Sequence, residues 1–136
     1  MTDLPEIAPA VTLETRPFWD ATAEGRLILP RCNACSTVIW YPRLFCPSCA
    51  SDDVSWVDAA GTGTVYSFTV VRKGQGPFAP AAPYVLAYVE LDEGPRVMTN
   101  IVGCRPDDVT VGQRVVVTFA DTGEATALYR FRPADR

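Results

Sequence analysis

The chain has 136 residues, 48% of them hydrophobic, enough for one domain with a real core or for a small module joined to a larger one. Its net charge of −4 argues against a partner whose binding depends on neutralising phosphates. Histidine is absent altogether, so general acid–base work would fall to Asp, Glu, Tyr or Lys, and no paired carboxylates stand beside a pocket signature.

The opening MTDLPEIAPA contains Pro5 and Pro9 and shows no periodicity, so residues 1–14 read as a flexible N-terminal arm. It lacks the basic start and apolar centre of a signal peptide, and no transmembrane run follows, which points to a reducing cytoplasm. A helix is expected over 15–25. Thr15 is its cap, Pro17 stands in its first turn, Phe18, Trp19 and Ala23 share an apolar side, and Gly25 ends it. Two fates stay open for Phe18 and Trp19: packing on the module that follows, or docking onto another protein.

Residues 26–60 carry Cys32, Cys35, Cys46 and Cys49, two C-x-x-C pairs ten residues apart. Each such turn lets two thiolates converge on one ion, and two turns complete a tetrahedral four-sulfur shell, the closed geometry of structural zinc. A closed shell has no position for substrate or water. Leu27 to Pro30 leads into the first pair, Val38 to Tyr41 supplies a strand and a turn before Pro42, and Val54 to Val57 returns. Disulfides fit poorly with a reducing compartment, and a redox pair would need a strand-to-helix setting that is missing here. Iron would use the same four sulfurs and stays open. Ser36 and Ala50 stand where a glycine often follows each pair, so both must tolerate a strained turn. The fifth cysteine, Cys104, has no histidine to activate it and reads as a buried, inert thiol.

From 61 to 136 the chain reads as β throughout, after a joint marked by Gly61 and Gly63. Strands are expected over Thr64 to Arg72, Tyr84 to Leu91, Val97 to Val102, Arg114 to Phe119 and Ala127 to Phe131. Asp92-Glu93-Gly94 and Asp121-Thr122-Gly123 supply two hairpin turns. Five antiparallel strands in about seventy residues fit an OB-like barrel. The conspicuous loop is KGQGPFAPAAP, Lys73 to Pro83, whose glycines and prolines extend neither strand. The expected fold is mainly β: an N-terminal helix, a rubredoxin-like ribbon and a five-stranded OB-fold.

In order and spacing, PFWDATAEGRLILPRCNACSTVIWYPRLFCPSC, GTGTVYSFTVV, PYVLAYVELDEGPRVMTNIVG, VGQRVVVTF and YRFRP resemble domain-of-unknown-function family thirty-five, from Arg16 to about Pro133. The resemblance implies a structural Zn2+ in the ribbon and a non-catalytic subunit beside a thiolase-superfamily partner. That partner would be a thiolase or a lipid-transfer-protein-like aldolase of steroid side-chain degradation, in a hetero-oligomer such as a heterotetramer. It also implies that Phe18 and Trp19 anchor the interface, and that Arg72, Lys73, Gly74 and Phe78 lie near an acyl-CoA channel. A basic mouth suits the CoA diphosphate; the plainer alternative is a solvated turn whose charges protect an edge strand. The rival class is single-stranded nucleic-acid binding, with Tyr66, Phe68, Tyr84 and Tyr88 as stacking platforms. Against it, the basic residues are dispersed and outnumbered by acids.

Overall fold

The computed structural model describes residues 3–134. One helix, α1 (Arg16–Ala23), precedes a two-stranded ribbon of β1 (Ile28–Cys32) and β2 (Val54–Asp58), and five further strands close a barrel. Among the described residues no helix is long and apolar enough to cross a membrane.

Pro17 fits the first turn of α1, where its missing N–H is not needed. Gly25 takes φ +75° just beyond the helix, and the Arg26 amide closes back on the Ala21 carbonyl at 2.9 Å. Thr15 does not serve as the expected side-chain cap. Its backbone is helical, and its hydroxyl accepts the Thr12 amide at 2.9 Å, so the preceding turn takes the oxygen the helix would have used.

In the ribbon, β1 and β2 pair antiparallel, with Leu29 opposite Val57 and Cys32 opposite Val54. The segment expected to add a strand at Val38 adds a single bridge, Val38 to Arg31, and the Ile39 amide donates to the Pro30 carbonyl.

The barrel strands are β3 (Thr62–Val71), β4 (Tyr84–Leu91), β5 (Arg96–Ile101), β6 (Arg114–Asp121) and β7 (Ala127–Pro133), closed in the order β3-β4-β5-β7-β6. β3 pairs with both β4 and β6, and β5 meets β7 in parallel at Ile101 and Phe131, the Greek-key closure of an OB-fold. β3 begins two residues before the expected Thr64 and ends before Arg72. Gly63 is the reason for the early start: it faces Leu91 on one side and Val115 on the other, and a Cβ there would lie 2.6 Å from the Glu90 carbonyl oxygen. A register shift between Val65 and Ser67 then bends β3 around the barrel.

One apolar core runs from helix to barrel. Phe18, Trp19, Leu27 and Leu29 join Val65, Val89, Val115 and Phe131 in it, while Cys32, Ile39 and Cys46 form a separate small cluster at the ribbon tip. Thr22 ties α1 to β7: its hydroxyl donates to the Trp19 carbonyl at 2.6 Å and accepts the Ala127 amide at 3.1 Å.

Candidate functional site

The two cysteine turns repeat one geometry. The Ser36 amide donates to the Cys32 carbonyl and the Ala50 amide to the Cys46 carbonyl, at 2.9 and 2.8 Å. Then the Cys32 amide closes on the Thr37 carbonyl and the Cys46 amide on the Ser51 carbonyl, both at 2.8 Å. To complete these turns Ser36 and Ala50 adopt φ +66° and +65°, the left-handed conformation expected of them. The sulfurs also receive backbone amides, from Cys35 onto Cys32 Sγ and from Ser48 onto Cys46 Sγ.

All four Sγ atoms lie within 4.8 Å of one another, with Cys32–Cys49 and Cys35–Cys46 each 3.6 Å apart. A disulfide requires about 2.05 Å. Four zinc–sulfur bonds of about 2.3 Å in a tetrahedron place their sulfurs about 3.8 Å apart, so the donor set and its spacing fit structural Zn2+. Hydrogen bonds from the Thr37 hydroxyl and amide hold the Cys35 thiol down to about 6. Cys49 is drawn down by the Ser51 amide, yet the neighbouring sulfurs of Cys32 and Cys35 push it up to about 12. Sulfurs this close ionise together only if a cation sits among them, and a bound ion supplies that charge.

The long loop holds a short 3-10 helix, Gly76–Ala81. Gly74 packs against it so tightly that a Cβ would meet the Phe78 carbonyl oxygen at 2.5 Å, and the Phe78 ring sits 5.7 Å from that of Tyr84. Arg72 is exposed and pairs with Asp107 at 2.8 Å; Lys73 is exposed beside it. The loop therefore has two exposed basic residues, Arg72 and Lys73, at its base and a half-buried Phe78 in its short helix.

Phe18 and Trp19 are not surface anchors. They are 0% and 4% exposed, because the aromatic rings of the ribbon and of β7 enclose them. Phe18 meets the edges of Trp19, Trp40 and Tyr129 at 4.9, 5.4 and 5.8 Å, and Trp19 Nε1 donates to the Tyr41 hydroxyl at 3.1 Å. Other large apolar side chains remain exposed. Tyr66, Leu86, Tyr88 and Met98 share the outer face of β3, β4 and β5, and Leu44 and Phe45 stand out from the ribbon tip. Arg96 stacks 3.8 Å over the Tyr66 ring while pairing with Glu90, so that platform is already covered. Cys104 is half-buried rather than buried, at the wall of a cavity, and burial raises its pKa with help from Asp108.

Sequence reasoning missed Tyr129 and Arg130. The N-terminal arm reaches across β7, where the Pro5 carbonyl accepts Arg130 Nη2 at 2.6 Å, and Arg130 is buried under that cover while Arg132 further along the strand is exposed. The signal in the sequence was an arginine between two aromatics in an apolar strand.

Two family profiles match: "ChsH2, rubredoxin-like zinc ribbon domain" over residues 19–55 and "ChsH2, C-terminal OB-fold domain" over 56–120. A "DUF35 domain-containing scaffold protein" of Methanocaldococcus jannaschii is 37% identical, covering 80% of this chain and 82% of the relative. A "Probable enoyl-CoA hydratase alpha subunit" of Thermomonospora curvata is 41% identical over 93% of this chain, which spans only 39% of that relative's length. Among solved structures, a chain of an "Ltp2-ChsH2(DUF35) aldolase" superposes with a TM-score of 0.84 at 40% identity, covering 94% of this chain and all of the other.

Proposed function

This chain belongs to the DUF35 family of zinc-ribbon and OB-fold proteins, and on that premise we propose that it is the non-catalytic subunit of a thiolase-superfamily enzyme acting on acyl-CoA. The observation that carries this reading is the full-length likeness to a chain of an aldolase complex. The catalytic residues belong to the partner, and the joint reaction makes or breaks a carbon–carbon bond. With four cysteines around it the ribbon ion has no open position, so its work is to hold the tip in shape for docking. The exposed apolar side chains of that tip, Leu44 and Phe45, replace Phe18 and Trp19 as the residues that meet the partner.

The loop after β3 contributes to the acyl-CoA channel. The ion pair of Arg72 with Asp107 is weakly held, since both side chains are about two-thirds exposed, at 65% and 64%. A diphosphate at the mouth exchanges readily for Asp107, with Lys73 adding a second charge. Gly74 and Phe78 give that mouth a rigid, apolar inner side. The acyl groups of steroid side chains are one candidate class, and a heterotetramer is the assembly in view.

The test is purification of the tagged chain from its native cells, with metal analysis of the eluate and identification of what accompanies it. The expected result is a thiolase-superfamily protein with one zinc per chain. Nucleic acid in its place, or acyl-CoA turnover by the lone chain, would overturn the proposal.

A further inference from the structure

Arg130 lies in β7 beneath the N-terminal arm and is 8% exposed, although Arg132 on the same face of the strand is exposed. A guanidinium carries five N–H donors. Its hydrogen bond to the Pro5 carbonyl answers one of them but leaves the charge unpaired. Among the described residues no carboxylate forms an ion pair with Arg130. Burial lowers its pKa, and exposed Glu6 opposes this only through a longer-range attraction. A cation taken out of water without an anion is costly, and an anion that reaches it recovers that cost.

A cavity of 420 Å³, in the size range of small-molecule sites, opens directly against this side chain. Val85, Ile101 and Phe119 give it apolar walls and Thr118 a hydroxyl, while Asp3 and Glu6 of the arm complete its border. Each wall restricts the occupant. An amine is repelled by Arg130, a neutral apolar molecule leaves the guanidinium unpaired, and Asp3 and Glu6 repel each added negative charge, so they oppose a dianion such as phosphate more than a monoanion. A single carboxylate on an apolar body satisfies all three conditions, since its two oxygens match the fork of the guanidinium and its body fills the apolar walls.

We infer that the cavity between the N-terminal arm and the barrel binds a small-molecule monocarboxylate, with its carboxylate on Arg130. The site borders the end of the long loop at Ala81 and Pro83, takes no part of its lining from Arg72 or Lys73, and does not depend on the partner proposed above. The Pro5 carbonyl stays on Nη2, so the arm forms a fixed wall and the ligand uses the remaining donors.

The experiment titrates the zinc-loaded full chain, labelled with 15N-arginine, with 4-phenylbutyrate, its neutral amide and inorganic phosphate, following the Arg130 Nε–H resonance and the heat of binding. The expected result is a saturable shift with phenylbutyrate, at least tenfold tighter than with the amide or with phosphate, and a loss of at least tenfold in Arg130→Met that Arg130→Lys partly restores. If Arg130→Met fails to fold, the resonance in the unaltered chain decides alone. No saturable shift with phenylbutyrate, or equal binding of the amide or of phosphate, would show that Arg130 serves only as a clip for the arm.

Discussion

The ribbon tip and the barrel are stable for different reasons, and the border between the two regimes falls inside the ribbon. At the tip, Cys32, Ile39 and Cys46 are the whole buried cluster, with half-buried Val54 against it. That is too little apolar area to order the two cysteine turns, and the metal must supply the folding energy. In the barrel, Val65, Val89, Leu91, Val97, Val115 and Phe131 are almost fully withdrawn from water, and their burial drives closure. The base of the ribbon belongs to the second regime, because Leu27 and Leu29 lie in the same core as Phe18 and the barrel valines. A metal-held tip is thus mounted on a base whose core needs no metal, an arrangement consistent with the docking role proposed for the tip above.

Breaking the metal shell is the harshest test of that division. Structural zinc sites supply about 10–16 kcal/mol, so Cys32→Ser, or chelation under reducing conditions, should melt the tip completely. Hydrogen exchange should then show lost amide protection at Cys46 and Ala50, with Leu29 and the barrel strands still protected. Partner binding should vanish with the tip. Uniform loss of protection along the chain would move the border to the barrel, and unchanged protection at the tip would refute a structural metal.

Phe18→Ala tests the other side. Phe18 is fully buried among Trp19, Trp40 and Tyr129, and truncating such a phenylalanine costs about 3–5 kcal/mol. The loss should appear in urea unfolding of the barrel and the ribbon base together, since one core spans them, while zinc content stays at one per chain. A variant of unaltered stability that no longer bound its partner would restore Phe18 to the interface.

How far the sequence could be read follows the same border. The metal ligands and their turns at the tip were legible, because their chemistry is local: four sulfurs at fixed spacing, and two left-handed positions at Ser36 and Ala50 set by the turns themselves; the strand expected at Val38 is only a bridge. The five barrel strands were legible from their β-branched residues, except where contact with two neighbours draws Gly63 into β3. What long-range contact decides was not legible. Trp19 bonds Tyr41 across 22 residues and Arg130 bonds Pro5 across 125, so the burial of these side chains depends on parts of the chain that no local pattern connects. Thr15 fits every local rule for a cap and still gives its hydroxyl to Thr12.

Acid should separate the two regimes with the smallest effect. In the barrel, Arg114 grips Asp92 in a two-pronged pair at 2.7 and 2.9 Å, and the Thr62 hydroxyl donates to the same carboxylate. These bonds, from Arg114 first and Thr62 second, hold Asp92 down to about 2. Because the folded value lies below the unfolded one of about 3.9, the contribution is complete above that value and is lost as pH falls through about 2. The Asp92 side chain is 40% exposed and that of Arg114 52%, so solvent screening keeps the contribution of the pair small. Arg114→Met should therefore lower barrel stability only slightly at pH 6 and by almost nothing at pH 2, read as a small shift of the urea midpoint at the higher pH alone. At the tip, protons compete with the metal for four thiolates, so zinc release should precede any loss of barrel signal as the pH is lowered. Should barrel and tip be lost at one pH in the unaltered chain, the base would depend on the metal after all, and the two stabilities would be one.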